Sequence, residues 1–345
     1  MSSAPILAVD DLQVRFRTEQ GTVNAVNGVS FEVGRGEVVA IVGESGSGKS
    51  VTAMTLMGLT RSPNAEISGS GRLGETELIG ASDEELQGIR GDRIAMIFQD
   101  PMSSMNPVYR VGDQIVEQIR AHNDMPEEQA QARAVDLLRQ VGIPDPEERA
   151  RAFPHEFSGG MRQRAMIAMG ISLDPELLIA DEPTTALDVT IQAQILRLLK
   201  RLNSELGVAT VLITHDLGVV AEIADRVLVM YGGRVVESGT LDQIFYDPQH
   251  PYTWGLLGSI ARLDRPRTAR LAQIKGQPPS LISPPEGCHF RPRCPHEFSK
   301  CSQIPPLDAR TGDGAHRDRC WLDPEQKKVL RVMETGEIGL QEPAA

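Results

Sequence analysis

The stretch Val38-Val-Ala-Ile-Val-Gly-Glu-Ser-Gly-Ser-Gly-Lys49-Ser50 decides the fold. Five consecutive apolar residues, Val38 to Val42, are the pattern of a strand covered on both faces. Gly43 to Ser50 then fit the spacing G-x-x-x-x-G-K-[ST], and a helical stretch follows through Leu59. In that order, strand, glycine-rich loop and helix let backbone N–H groups curl around phosphate oxygens, and the helix dipole adds positive potential. Lys49 can reach the β- and γ-phosphates, and the Ser50 hydroxyl suits Mg²⁺. The segment predicts a nucleoside triphosphate site on an α/β core.

Working outward, Leu177-Leu-Ile-Ala-Asp181-Glu182 is an apolar strand ending in two carboxylates. Asp181 is placed to hold magnesium, directly or through water, and Glu182 to act as general base toward an attacking water. Strand-like runs recur at Ala209–Ile213 and Val227–Tyr231, with a helical pattern at Val189–Leu206. Alternating strands and helices predict a parallel sheet. Upstream, Leu12–Phe16, Val23–Val26 and Val29–Val33 alternate apolar and polar residues between turn signals and read as antiparallel strands. Between about Pro107 and Leu173 the pattern is helical, at Val111–Ala121, Pro126–Val141 and Ser158–Ser172, and reads as an insertion.

The composition narrows the class. The chain has 345 residues, 40% hydrophobic and 24% charged, and its net charge is −12. That balance opposes a broad phosphate-neutralising face, so nucleic acid is not expected as a partner. No apolar run approaches the roughly 18–20 residues of a membrane helix, and Met1 to Asp10 lack a basic-then-apolar leader, so a cytoplasmic chain is expected. The average hides a boundary. Residues 262–320 carry a local +5 and nine prolines, against −17 for the remainder, and all four cysteines lie between Cys288 and Cys320. This predicts an appended unit with little regular structure, followed after Leu322 by a short helix and a disordered tail.

Phe157-Ser-Gly-Gly-Met-Arg-Gln-Arg164 supplies a second anion-binding helix start, with Ser158 as a natural N-cap. Together with the loop and the acid pair, this motif resembles the signature of the ATP-binding cassette (ABC) family. The order of further motifs agrees: Gln99 ending Ala95-Met-Ile-Phe-Gln, Thr185-Ala-Leu-Asp188, and His215 after Val211-Leu-Ile-Thr. The resemblance implies a P-loop NTPase cassette with a RecA-like core, an antiparallel β-subdomain and an inserted α-helical subdomain at about 100–173. Catalytic roles fall to Glu182, His215, Lys49 and Gln99. Gly43, Glu44, Ser45, Gly46, Ser47, Gly48, Lys49, Ser50 and Val51 would surround the phosphates, and Phe16 would stack on adenine. Ser50, Gln99 and Asp181 would serve Mg²⁺. Ser158, Gly159, Gly160 and Asp188 would act in trans, on the nucleotide of a partner cassette. Two departures stand out: Met161 replaces the commoner glutamine of the signature, and Phe16 the commoner tyrosine. Stacking needs only a ring face, so the second is tolerated.

Asp247-Pro-Gln-His-Pro-Tyr-Thr253, Gly276-Gln-Pro-Pro-Ser-Leu281 and Gly287-Cys-His-Phe-Arg-Pro-Arg-Cys-Pro295 make residues 242–322 resemble the C-terminal extension of oligopeptide/dipeptide importer ATPases, beyond a cassette of 1–241 and before a tail of 323–345. This implies an ATP hydrolase that drives peptide import with a second, different cassette subunit, two membrane permease subunits and an extracytoplasmic peptide-binding protein, at the cytoplasmic face of the membrane. The rival is a soluble ABC ATPase acting on nucleic acid, ribosomes or iron–sulfur assembly. For Cys288, Cys294, Cys301 and Cys320, spaced C-x5-C-x6-C-x18-C, three readings compete. These are a 4Fe–4S cluster, favoured by the Cys294-Pro295 pair and by the subfamily, a zinc site whose usual short knuckles are missing, and plain reduced thiols.

Overall fold

The computed structural model describes residues 4–259, 274–309 and 314–335. An eight-stranded sheet forms its centre. Its strands run, in spatial order, Asp308–Ala309, Arg317–Asp318, Arg234–Thr240, Arg226–Tyr231, Val38–Val42, Ala209–Thr214, Leu177–Asp181 and Ile94–Ile97. The last five are mutually parallel, and the first three add antiparallel pairings at one edge. Val38–Val42, Leu177–Asp181 and Ala209–Thr214 are buried at every position, as apolar runs between two covered faces must be.

Alternation along these strands sends side chains to opposite layers. Leu178, Ala180 and Leu212 face one layer, while Leu177, Ile179, Val211 and Ile213 face the other. The first layer is completed by the helices Val111–His122, Glu127–Gln140 and Gly159–Gly170, through Ile115, Ile119, Ala134, Leu137, Leu138 and Ile167. The helical insertion therefore shares a core with the sheet. The second layer holds a four-stranded antiparallel sheet, in the order Gly21–Val33, Leu7–Thr18, Ala65–Leu73 and Thr76–Glu77. The segments at Val23–Val26 and Val29–Val33 form one strand, where the sequence suggested two. Asn27-Gly28 resembles a hairpin turn, but Gly28, at φ +76°, is skipped between Asn27↔Gln13 and Val29↔Leu12, which makes a bulge.

The C-terminal unit is mostly irregular, as its proline content implies, yet it is stitched into the cassette. Arg317–Asp318 pairs with Glu237–Ser238, and Asp308–Ala309 pairs with Arg317–Asp318. The helix Pro324–Thr335 follows. The predicted disordered tail beyond it lies outside the described residues. Behind this junction is a buried polar cluster. Glu237 accepts the Gln249 and His250 backbone N–H groups at 2.6 and 2.9 Å and faces His316 Nε2 at 2.9 Å, while Lys327 Nζ meets Asp318 Oδ2 at 2.6 Å.

His250 caps the helix Pro251–Gly258, its Nδ1 accepting the Tyr252 N–H at 3.1 Å. Burial presses its pKa from 6.5 down to about 4, against the pull of nearby Asp318 and with the push of Lys327. Between those values the unfolded chain takes up a proton that the folded chain refuses, so stability is lost as pH falls through that window. Thermal unfolding should show Tm dropping from about pH 7 to about pH 5, and His250→Asn, which keeps a capping acceptor, should flatten the slope. An unchanged slope would remove His250 from this role.

Candidate nucleotide site

The loop after Val42 turns where only glycine fits. Gly43 has φ +154°, and a Cβ there would lie 2.2 Å from the Met230 carbonyl oxygen. Gly48, at φ +102°, would put a Cβ 2.4 Å from the Ala25 carbonyl oxygen while serving as N-cap of the helix Lys49–Leu56. Gly46 meets nothing within 4 Å on the side where a Cβ would point. The backbone is thus pinned from behind and open in front, the shape of a phosphate cradle. Lys49 Nζ donates to the carbonyls of Gly43 and Glu44 at 2.7 and 3.0 Å. Burial lowers its pKa, opposed by the charges of Glu182, Asp181 and Glu44. Ser47 Oγ is buried with no partner in the loop.

Two carboxylates enter from the end of the Leu177–Asp181 strand. Ser50 Oγ donates to Asp181 Oδ1 at 3.0 Å. Burial raises the Asp181 pKa, the Ser50 hydrogen bond opposes the rise, Glu182 adds to it and Lys49 counters it. A hydroxyl and a carboxylate side by side, next to a phosphate loop, are oxygen donors of the kind that could hold a magnesium ion. Glu182, at φ +47°, is held by three neighbours. Thr185 Oγ1 donates to its Oε2 at 2.8 Å, Gln99 Nε2 donates to the same oxygen at 3.1 Å, and His215 Nδ1 lies 3.1 Å from Oε1. Burial would raise the Glu182 pKa, but the Thr185 and His215 hydrogen bonds, with the charges of His215 and Lys49, hold it below the usual value. Glu182 is therefore an ionised, fixed acceptor at neutral pH.

The structure thus gathers Lys49, Ser50, Gln99, Asp181, Glu182 and His215 into one group. Gln99 reaches Glu182, where the sequence placed it on magnesium. Ser158, Gly159, Gly160 and Asp188 form a second group. Ser158 and Asp188 cap their helices by accepting the N–H groups of Met161 and Ile191 at 3.3 and 3.0 Å, and a Cβ on Gly160 would come within 2.8 Å of Ile191. Phe16, opposite Val23, is half-buried on the β-subdomain core. Sequence reading missed three contributors: Thr185 as a clamp on Glu182, and Tyr252 and Arg293 against Glu44. The last two lie more than 200 residues from the loop, and no local pattern marks them.

The iron–sulfur expectation is overturned. Among the described residues no group of three or more His, Cys, Asp or Glu side chains could hold a metal ion. Cys288, Cys294, Cys301 and Cys320 all line one apolar cavity with Pro251, Phe290 and Trp321. Burial there pushes the Cys288 thiol up, and those of Cys294 and Cys320 up to about 12. With no such group among the described residues, neither a 4Fe–4S cluster nor zinc is supported at these cysteines.

A phosphate loop, a serine–aspartate pair and a fixed glutamate at the end of the strand two places away in the sheet define a P-loop nucleoside triphosphatase. Comparison with known proteins narrows this class. Residues 26–185 match the ABC transporter family, and residues 236–301 match the oligopeptide/dipeptide transporter C-terminal region. The chain is 52% identical over 323 residues to the dipeptide transport ATP-binding protein DppD of Bacillus subtilis, covering 93% of this chain and 96% of that protein. It is 51% identical over 304 residues to the oligopeptide transport ATP-binding protein OppD of Salmonella typhimurium, covering 88% and 90%. A dimeric ATP-binding cassette solved in a post-hydrolysis state with ADP and Pi superposes with TM-score 0.62 at 27% identity, over 68% of this chain and 98% of that one. The chain belongs to the ATP-binding cassette family, among the oligopeptide/dipeptide transport ATP-binding proteins, and is an ATP hydrolase.

Proposed function

We propose that this chain hydrolyses ATP to drive peptide uptake through a membrane transporter. The observation that carries the chemistry is the grip of Gln99, Thr185 and His215 on the Glu182 carboxylate, beside Lys49 and Asp181. Gly43 to Val51 wrap the phosphates, Lys49 neutralises charge on the β- and γ-phosphates, and Phe16 offers a ring face to adenine. Ser50 and Asp181 would hold Mg²⁺, which would supply positive charge to the phosphate oxygens. Glu182 orients the attacking water and accepts its proton, while His215 fixes the second oxygen of Glu182. Gln99 links this carboxylate to the helical subdomain.

Ser158, Gly159, Gly160 and Asp188 serve the nucleotide of a second cassette, in our reading a different chain. The relatives' names speak of dipeptide and oligopeptide transport, and this supports peptides as the cargo. Permease subunits would dock on the segment after Gln99, where Met102, Val108 and Tyr109 are large apolar side chains exposed by 45%, 72% and 55%. Two permeases and an extracytoplasmic peptide-binding protein complete the assembly, with this chain at the cytoplasmic face. We take 1–241 as the cassette, 242–322 as the extension and 323–345 as the tail. No helix among the described residues is long and apolar enough to cross a membrane, so attachment would run through the permeases.

Co-expression with permease subunits tests the reading. The chain should sediment with membranes when they are present, and Val108→Asp with Tyr109→Asp should release it. A chain that ignores the permeases and sediments with ribosomes or nucleic acid would favour the soluble rival.

A further inference from the structure

Arg293 lies in the cysteine-bearing segment, yet its side chain, only 4% exposed, points at the phosphate loop. All five of its N–H donors are engaged. Nη1 donates to Glu44 Oε2 at 2.6 Å and to the Tyr231 hydroxyl at 3.3 Å. Nη2 donates to Glu44 Oε1 at 3.1 Å and to the Ile274 carbonyl at 3.2 Å, and Nε donates to the Lys275 carbonyl at 2.9 Å. The fork on Glu44 is the bidentate geometry that arginine offers and lysine cannot. The backbone of Glu44 is held by the same neighbourhood, since its N–H donates to the Tyr252 hydroxyl at 2.8 Å. Tyr231, Tyr252 and Phe290 pack on one another at centroid distances of 4.5–5.4 Å.

Glu44 occupies the second position of the loop, and its carbonyl accepts from Lys49 Nζ and from the Ser47 N–H. A second tether runs beside it. His289 Nδ1 lies 2.7 Å from the Gly232 carbonyl oxygen, and the Gly233 N–H donates to the Ser47 carbonyl. The first half of the loop is therefore braced directly by Arg293 and Tyr252, and the second half through Gly232–Gly233, which His289 contacts.

We propose that Arg293, together with Tyr252, is a positioning residue that holds the loop in its ATP-binding shape through Glu44, so that the C-terminal unit sets the affinity for MgATP. The proposal rests on Gly43–Ser50 being the ATP loop. A loop pre-shaped before binding loses less conformational freedom when the phosphates arrive, and releasing Glu44 restores that cost. The gain lies in affinity; Glu182 and its partners are untouched.

MgATP binding to the full-length chain, measured by calorimetry, tests this. Arg293→Ala should raise Kd about tenfold, which corresponds to about 1.4 kcal/mol, with the number of binding sites unchanged. Arg293→Lys should fall between wild type and Arg293→Ala, because a point charge restores one contact of the fork. Glu44→Gln should also weaken binding, and the Arg293→Ala, Glu44→Gln double variant should be no weaker than the worse single variant, since both remove one interaction. A fall in site number at unchanged Kd would mean that Arg293 only supports folding, and would overturn the proposal, as would a wild-type Kd in Arg293→Ala. A wild-type chain that fails to bind MgATP would instead remove the ATP loop itself.

Discussion

Glu182→Gln is expected to bind MgATP nearly as well as wild type and to hydrolyse it about 10²–10⁴-fold more slowly, the range for losing a positioned general base. The amide is isosteric and can still accept from Thr185 and Gln99, whose donors meet Oε2 at 2.8 and 3.1 Å, so the site keeps its shape. What disappears is the charge. The carboxyl is held below its usual pKa, so at neutral pH it is ionised and able to take a proton from water. Single-turnover phosphate release, alongside equilibrium binding, separates the two effects. Turnover within a few-fold of wild type would take the base role away from Glu182.

Lys327→Met is expected to destabilise the chain by roughly 3–5 kcal/mol, the cost of breaking a buried ion pair from one side. Lys327 and Asp318 are 1% and 0% exposed, at 2.6 Å, in the seam where the C-terminal strand joins the cassette sheet. The substitution strips the Asp318 carboxylate of its ammonium in a place water does not reach. Replacing both partners, Lys327→Met with Asp318→Leu, should recover most of the loss, because a buried pair exchanged for apolar side chains is often close to neutral. Urea unfolding of the three chains gives the comparison. A single-variant loss below about 1 kcal/mol, the size of an exposed pair, would show that water reaches this seam.

What could be read from the sequence was what is encoded locally. The phosphate loop was legible because its glycines, lysine and serine are contiguous, and Val189–Leu206 was legible to the residue because Asp188 caps one end and Gly207, at φ +66°, closes the other. The acid pair was legible because an apolar strand ends in it. Errors arose where a local signal met a distant partner. Asn27-Gly28 has the wording of a hairpin, but the long strand Leu7–Thr18 absorbs it as a bulge. Arg317–Asp318 is too short to signal a strand, and exists because Glu237–Ser238 offers an edge some 80 residues earlier. Arg293 gave no sign of its partner, since a lone arginine in a proline-rich segment has nothing local to point at Glu44. Cysteine spacing likewise says nothing about whether the thiols meet in a group that could hold a metal, and among the described residues no such group forms.

The central claim, that this chain powers peptide import by ATP hydrolysis, is tested most directly by uptake of a labelled peptide into vesicles carrying the complete transporter with ATP on the side of this chain. Uptake should require ATP and fall to background when Glu182→Gln replaces wild type. Peptide accumulation that persists with that variant, or that proceeds without ATP, would contradict it.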